Sequence, residues 1–266
     1  MRHKYKLPPI FALWLLIVLT LALFVWVSFS DDMNIGNYTI KKGKFPETLL
    51  TQEKPDVIPD ILPDTLIVPI VNKIVNGPDS TIRNVLVFGD SMTHYLAMSI
   101  AKYGSRNNYT VTSVTWVSSS ITKWSKTDKL KKYMEMVEPD FVIISLGAND
   151  VNLKNFNSKI PEIQGIISQL DSVPYIWVGP PLWKKDKGLY DILEKTLAKG
   201  QVFHLDENFK IQRAADHIHP THKGADAWAD TLMRWIKTSN LPLLAELPDT
   251  VKRPLEHNFI YLHAKD

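Results

Sequence analysis

The chain contains no cysteine. This excludes disulfides, thiolate metal sites, a cysteine nucleophile and a lipidated N-terminal cysteine. It does not fix the compartment, because proteins without disulfides also live in oxidising places. Net charge is scarce too, at +3 over 266 residues. The basic residues are scattered, with no stripe of Lys and Arg interleaved with aromatics, so nucleic acid is not an expected partner. Internal repeats are lacking. The length holds one good-sized domain plus extensions.

Charge is missing altogether from 9–29, a run dominated by Leu, Ile, Val, Phe and Trp. About 20 apolar residues cross a bilayer as a helix. A buried core helix would show a polar face, and this run has none. A cleaved signal peptide would have a shorter apolar core and small residues at the cut. The reading is therefore an uncleaved transmembrane anchor at 9–29. Arg2, Lys4 and Lys6 precede it and Asp31 and Asp32 follow, which places 1–8 as a cytoplasmic tail and the rest outside the cytoplasm. Residues 30–80 read as a spacer, because Pro46, Pro55, Pro59, Pro63, Pro69 and Pro78 each remove a backbone donor and fix φ.

From 84 onward, short apolar runs alternate with amphipathic ones. Asn84 to Phe88, Tyr109 to Trp116, Phe141 to Leu146, Tyr175 to Val178 and Gln201 to Leu205 read as five strands. Helical periods lie between them, and an amphipathic helix over His222 to Lys237 closes the domain, set at 81–240. Alternating strands and helices imply an α/β fold with a parallel sheet covered on both faces. In such sheets, sites form beyond the carboxyl ends of the strands. Residues 241–266 read as a tail without an assigned element.

Three polar clusters follow predicted strands. Gly89-Asp90-Ser91 ends the first. Ser91 is either a helix N-cap or a hydroxyl awaiting a base. Gly147-Ala148-Asn149-Asp150 follows the third strand. Asn149 either stabilises its own turn or offers an amide to an oxyanion, and Asp150 reads as structural. Asp216-His217-Ile218-His219-Pro220 comes last. Its three-residue spacing lets Asp216 hold one nitrogen of His219 and leave the other as a base. His217, His219 and His222 form an alternative zinc set, but they lack the His-Glu-x-x-His pattern, and no metal or other cofactor is expected. Trp183, Lys184 and Lys185 lie past the fourth strand, as substrate contacts or an ordinary exposed loop.

Taken together, Phe88-Gly89-Asp90-Ser91, Gly147-Ala148-Asn149-Asp150 and Asp216-His217-Ile218-His219 resemble the first, third and fifth blocks of the SGNH/GDSL hydrolase superfamily. The resemblance spans about 84–237. It implies a three-layer, flavodoxin-like parallel sheet of five strands. It also implies Ser91 as nucleophile, His219 as base and Asp216 as the acid that orients it. The N–H of Ser91 and the amide of Asn149 would be oxyanion donors. The family's second block offers a glycine N–H to the same hole, and Ser120, within Val117-Ser118-Ser119-Ser120-Ile121-Thr122, is its match here. The implied activity is a serine ester hydrolase acting on an acylated carbohydrate or another ester, with acetyl on an envelope glycan as the expected group. An O-acyltransferase using the same triad, or a weakly active glycan-binding module, are the alternatives.

Overall fold

The structure, a computed structural model, describes residues 77–248 and 256–266, with the short stretches 18–20, 33–35 and 38–40. The chain divides into two compact units, Met1–Asp64 and Thr65–Asp266. In the first, 18–20 are helical, and β1 (Met33–Ile35) pairs antiparallel with β2 (Tyr38–Ile40), Met33 opposite Ile40. The tail expected at 1–8, most of the anchor expected at 9–29 and most of the spacer lie outside the described residues. Among those described, no helix is long and apolar enough to cross a membrane.

In the second unit the chain runs through β3 (Asn84–Gly89), α1 (Met92–Asn107), β4 (Thr110–Trp116), α2 (Ile121–Ser125), α3 (Lys129–Val137) and β5 (Phe141–Ser145). It continues through a 3-10 turn (Ala148–Asp150), α4 (Ile160–Ser168), β6 (Tyr175–Val178), α5 (Leu189–Thr196), β7 (Val202–Phe203), α6 (His222–Thr238) and β8 (His257–Leu262). The sheet order is β7-β6-β5-β3-β4-β8, and every neighbouring pair is parallel.

The five-strand expectation is corrected to six. β8 pairs along its whole length with β4, from Val111 opposite His257 to Trp116 opposite Leu262. His-Asn-Phe-Ile-Tyr-Leu has no unbroken apolar run, because an edge strand buries only part of its surface. A pairing with a partner 146 residues away leaves no local trace. The region before it packs as well. Leu243 is buried, Asp79 N donates to Pro242 O at 2.7 Å, and Asn107 Nδ2 donates to Glu246 O at 3.0 Å.

Strand side chains alternate between faces, and both faces are covered. Val85 and Val87 meet Leu96 and Ile100 of α1 and Trp228, Leu232 and Ile236 of α6. Leu86 and Phe88 meet Trp124, Leu130, Ile163 and Leu193 of α2 to α5. Truncating one of these wholly buried leucines to alanine costs about 2–5 kcal/mol. The chain leaves β3 for β4 on one side, then returns across to β5 on the other. The loops after β3 and β5 therefore part in opposite directions, opening a crevice at the carboxyl end.

Candidate active site

β3 ends in a tight approach to β5. A Cβ on Gly89 would lie 1.8 Å from Ser145 O, so only glycine fits. Asp90 is wholly buried and accepts N–H bonds from Met92 (3.0 Å), Gly147 (3.2 Å) and Ala148 (3.0 Å). Burial pushes its carboxyl up to about 7, while these N–H groups pull it down. Asp90 thus ties the loop carrying Ser91 to the loop carrying Asn149.

Ser91 occupies the N-cap position of α1, yet its hydroxyl makes no capping bond. Its Oγ lies 2.8 Å from His219 Nε2 instead. The capping reading of this serine does not hold.

His219 sits on a closed loop. Ala214 N donates to His219 O at 2.8 Å and His217 N to Ala214 O at 3.0 Å, with His217 in the left-handed region at φ 58°. Asp216 shapes the loop with one oxygen and the ring with the other. Oδ1 accepts the N–H of Ile218 (2.9 Å) and of His219 (3.0 Å). Oδ2 is 2.6 Å from His219 Nδ1. The imidazole bond first, then the two N–H bonds, hold the Asp216 carboxyl down at about 2. An ionised Asp216 accepts, so Nδ1 carries the proton and Nε2 faces Ser91 as acceptor. Thr221 then caps α6, accepting from Gly224 N at 3.1 Å. Both ring nitrogens of His219 are engaged, Nδ1 by Asp216 and Nε2 by Ser91. Among the described residues no group of three or more His, Asp or Glu is placed to hold a metal. His217 and His222 are exposed.

The second and third loops are joined to each other. Asn149 is exposed, and its Nδ2 donates one hydrogen to Ser119 O at 2.8 Å, which leaves the other free. Asp150 is buried and accepts Ile121 N at 3.1 Å. Burial raises its carboxyl, opposed by that N–H and by Lys159. It holds the start of α2 in place, the structural part read for it. Ser120 caps α2, its Oγ accepting from Lys123 N at 3.3 Å. Ser119 N is spent on Trp116 O. The N–H groups of Ser91 and Ser120 have no acceptor among the described residues. Neither Ser120 nor Asn149 bonds directly to Ser91.

One further side chain organises the loops. Arg213 donates to Ile218 O on the histidine loop, and its Nη2 reaches Pro181 O and Leu182 O after β6, both at 2.9 Å. A cation three residues before Asp216 was visible in the sequence, but its targets are carbonyls, which leave no sequence signal. Trp183 packs half-buried on the core, Lys184 Nζ bonds Asn152 Oδ1 at 3.1 Å, and Lys185 is exposed. No protein-family model and no curated protein matches the chain.

Proposed function

We propose that the chain is a serine ester hydrolase of the SGNH type that removes a small acyl group, acetyl from an envelope glycan, through an acyl-enzyme on Ser91. The observation that carries the reading is the unbroken series from Asp216 Oδ2 to His219 Nδ1 at 2.6 Å and from His219 Nε2 to Ser91 Oγ at 2.8 Å. It gives a hydroxyl a base, and gives that base a fixed tautomer.

The steps follow from these positions. Ser91 Oγ attacks the acyl carbon as its proton passes to His219 Nε2. Asp216 stabilises the imidazolium. The carbonyl electron pair moves onto oxygen, toward the N–H groups of Ser91 and Ser120 and the free amide hydrogen of Asn149. Collapse expels the alcohol oxygen, which takes the proton from His219. Water then attacks the acyl-serine as His219 takes its proton, and collapse breaks the bond to Ser91 Oγ, which takes that proton back from His219 as the acid leaves. The loop ties through Asp90, Asp150 and Arg213 keep the groups from drifting. In this reading the charge-free run 9–29 holds the domain on the outer side of the cytoplasmic membrane, within reach of an envelope polymer.

A fluorophosphonate probe is the direct test. It should label wild-type protein at Ser91, and the Ser91→Ala and His219→Ala variants should resist it. Folded wild-type protein that takes no label would overturn the reading.

A further inference from the structure

Apart from the triad, one surface combines exposed rings with a direct route to the site. β8 is one of the two edge strands of the sheet among the described residues. Ile260 and Leu262 turn inward to the core beneath α2 to α5. The alternate residues Phe259 and Tyr261 are 43% and 49% exposed. Their ring centroids are 6.5 Å apart and their planes differ by 11°, so together they make a flat step. His94 of α1 meets them edge-on at 4.7 and 6.3 Å. Tyr95 lies 5.0 Å from His94 and 6.2 Å from His219. Rings thus run in a continuous series from this edge strand to the base.

The surface also says what it suits. Residues 257–263 include no Lys, Arg, Asp or Glu. Single-stranded nucleic acid needs cations beside the stacking rings, and an anionic membrane needs a basic cluster. Burial pushes His94 and His257 below the usual imidazole range, which keeps the rings uncharged at neutral pH. The buried Nδ1 of His94 has no partner. Flat, neutral rings with polar atoms at their margin fit the face of a sugar ring. Its axial C–H groups meet the negative ring faces, and its hydroxyls reach the polar margin.

We propose that Phe259, Tyr261, His94 and Tyr95 form a platform for a neutral polysaccharide. The polymer lies along β8 so that an acylated sugar farther along it reaches Ser91. Delivery to Ser91 rests on the hydrolase reading, but binding does not. The test uses the full chain carrying Ser91→Ala, titrated calorimetrically with the hexamer of β-1,4-linked N-acetylglucosamine. Saturable binding is expected. Phe259→Ala and Tyr261→Ala should each weaken it roughly tenfold, while Tyr261→Phe, which keeps the ring, should not. His94→Gln, on a different element, guards against an unfolded strand and should weaken binding too. No binding, or binding that all three ring-removing variants leave intact, would overturn the platform. Loss of affinity for phosphatidylcholine vesicles in its place would do the same. Sugar binding without fluorophosphonate labelling would keep the platform and remove the hydrolase, and labelling without sugar binding would do the reverse.

Discussion

Arg213→Met removes the guanidinium that bridges two loops. The bonds lost are those to Pro181 O and Leu182 O at 2.9 Å and to Ile218 O. A bond from a charged donor is worth about 1.5–3 kcal/mol, so three simply added would exceed 4 kcal/mol. Two effects reduce that. The bonds are only partly buried, so water replaces some of them, and the substitution removes a cation that burial disfavours. A loss of about 2–3 kcal/mol remains. For a unit of this size each kcal/mol shifts Tm by about 2–4 °C, so Tm should fall by about 4–12 °C. Activity should fall more than the folded fraction explains, because the freed loop carries both His219 and Asp216. Thermal unfolding followed by circular dichroism, beside the rate of fluorophosphonate labelling, measures both. Arg213→Lys should recover part of the Tm, since one ammonium cannot reach three carbonyls in a fork. If Arg213→Met melts within about 1 °C of the parent and labels at the same rate, the bridge has no such role.

Other outcomes follow from the same geometry. Ser91→Ala should abolish ester turnover and leave Tm unchanged, because its hydroxyl does not cap α1. Asn149→Ala should lower kcat by roughly 10²–10³ with little change in KM, the scale of one oxyanion donor; a raised KM with kcat unchanged would assign it to ground-state binding. Asp216→Asn should slow acylation more than it weakens binding, since an amide can donate to Nδ1 and favour the wrong tautomer. The Asp216 carboxyl is held at about 2 against an ordinary 3.8, so its contribution to stability is full above that ordinary value and lost as pH falls through 2. Denaturant titrations of wild type and Asp216→Asn should therefore converge between about pH 4 and pH 2. Gly89→Ala should yield little soluble protein, because its Cβ would meet Ser145 O at 1.8 Å.

The sheet was legible because its central strands are continuous apolar runs, and Val85 to Phe88 reads as a strand buried on both faces. The meeting of Ser91, His219 and Asp216 was legible for a different reason. Asp216 and His219 are three apart, so their pairing is local, and Ser91 follows a strand that had to end at the same rim. What escaped the sequence was non-local. Arg213 acts on backbone oxygens, which every residue has. β8 is chosen by β4 and not by its own composition. Helix α2 is only five residues long, too short for a periodic signal, and with it went the capping role of Ser120. Ser120, matched to the second-block glycine, keeps an N–H without an acceptor among the described residues, whereas the N–H of Ser119 bonds Trp116 O.

The distance along the chain between β4 and β8 also bears on the order of folding. Contacts between distant segments form late, because the chain must lose loop entropy before they return anything. The β3, β4 and β5 ladder can assemble from nearby segments, whereas β8 docks on a sheet already built. Its amides should exchange with deuterium sooner than those of the central strands β3 and β5 under native conditions. The Phe259 and Tyr261 part of the proposed platform would then be less persistent than the α1 part, able to loosen and re-form around a passing polymer while Ser91 and His219 stay in place.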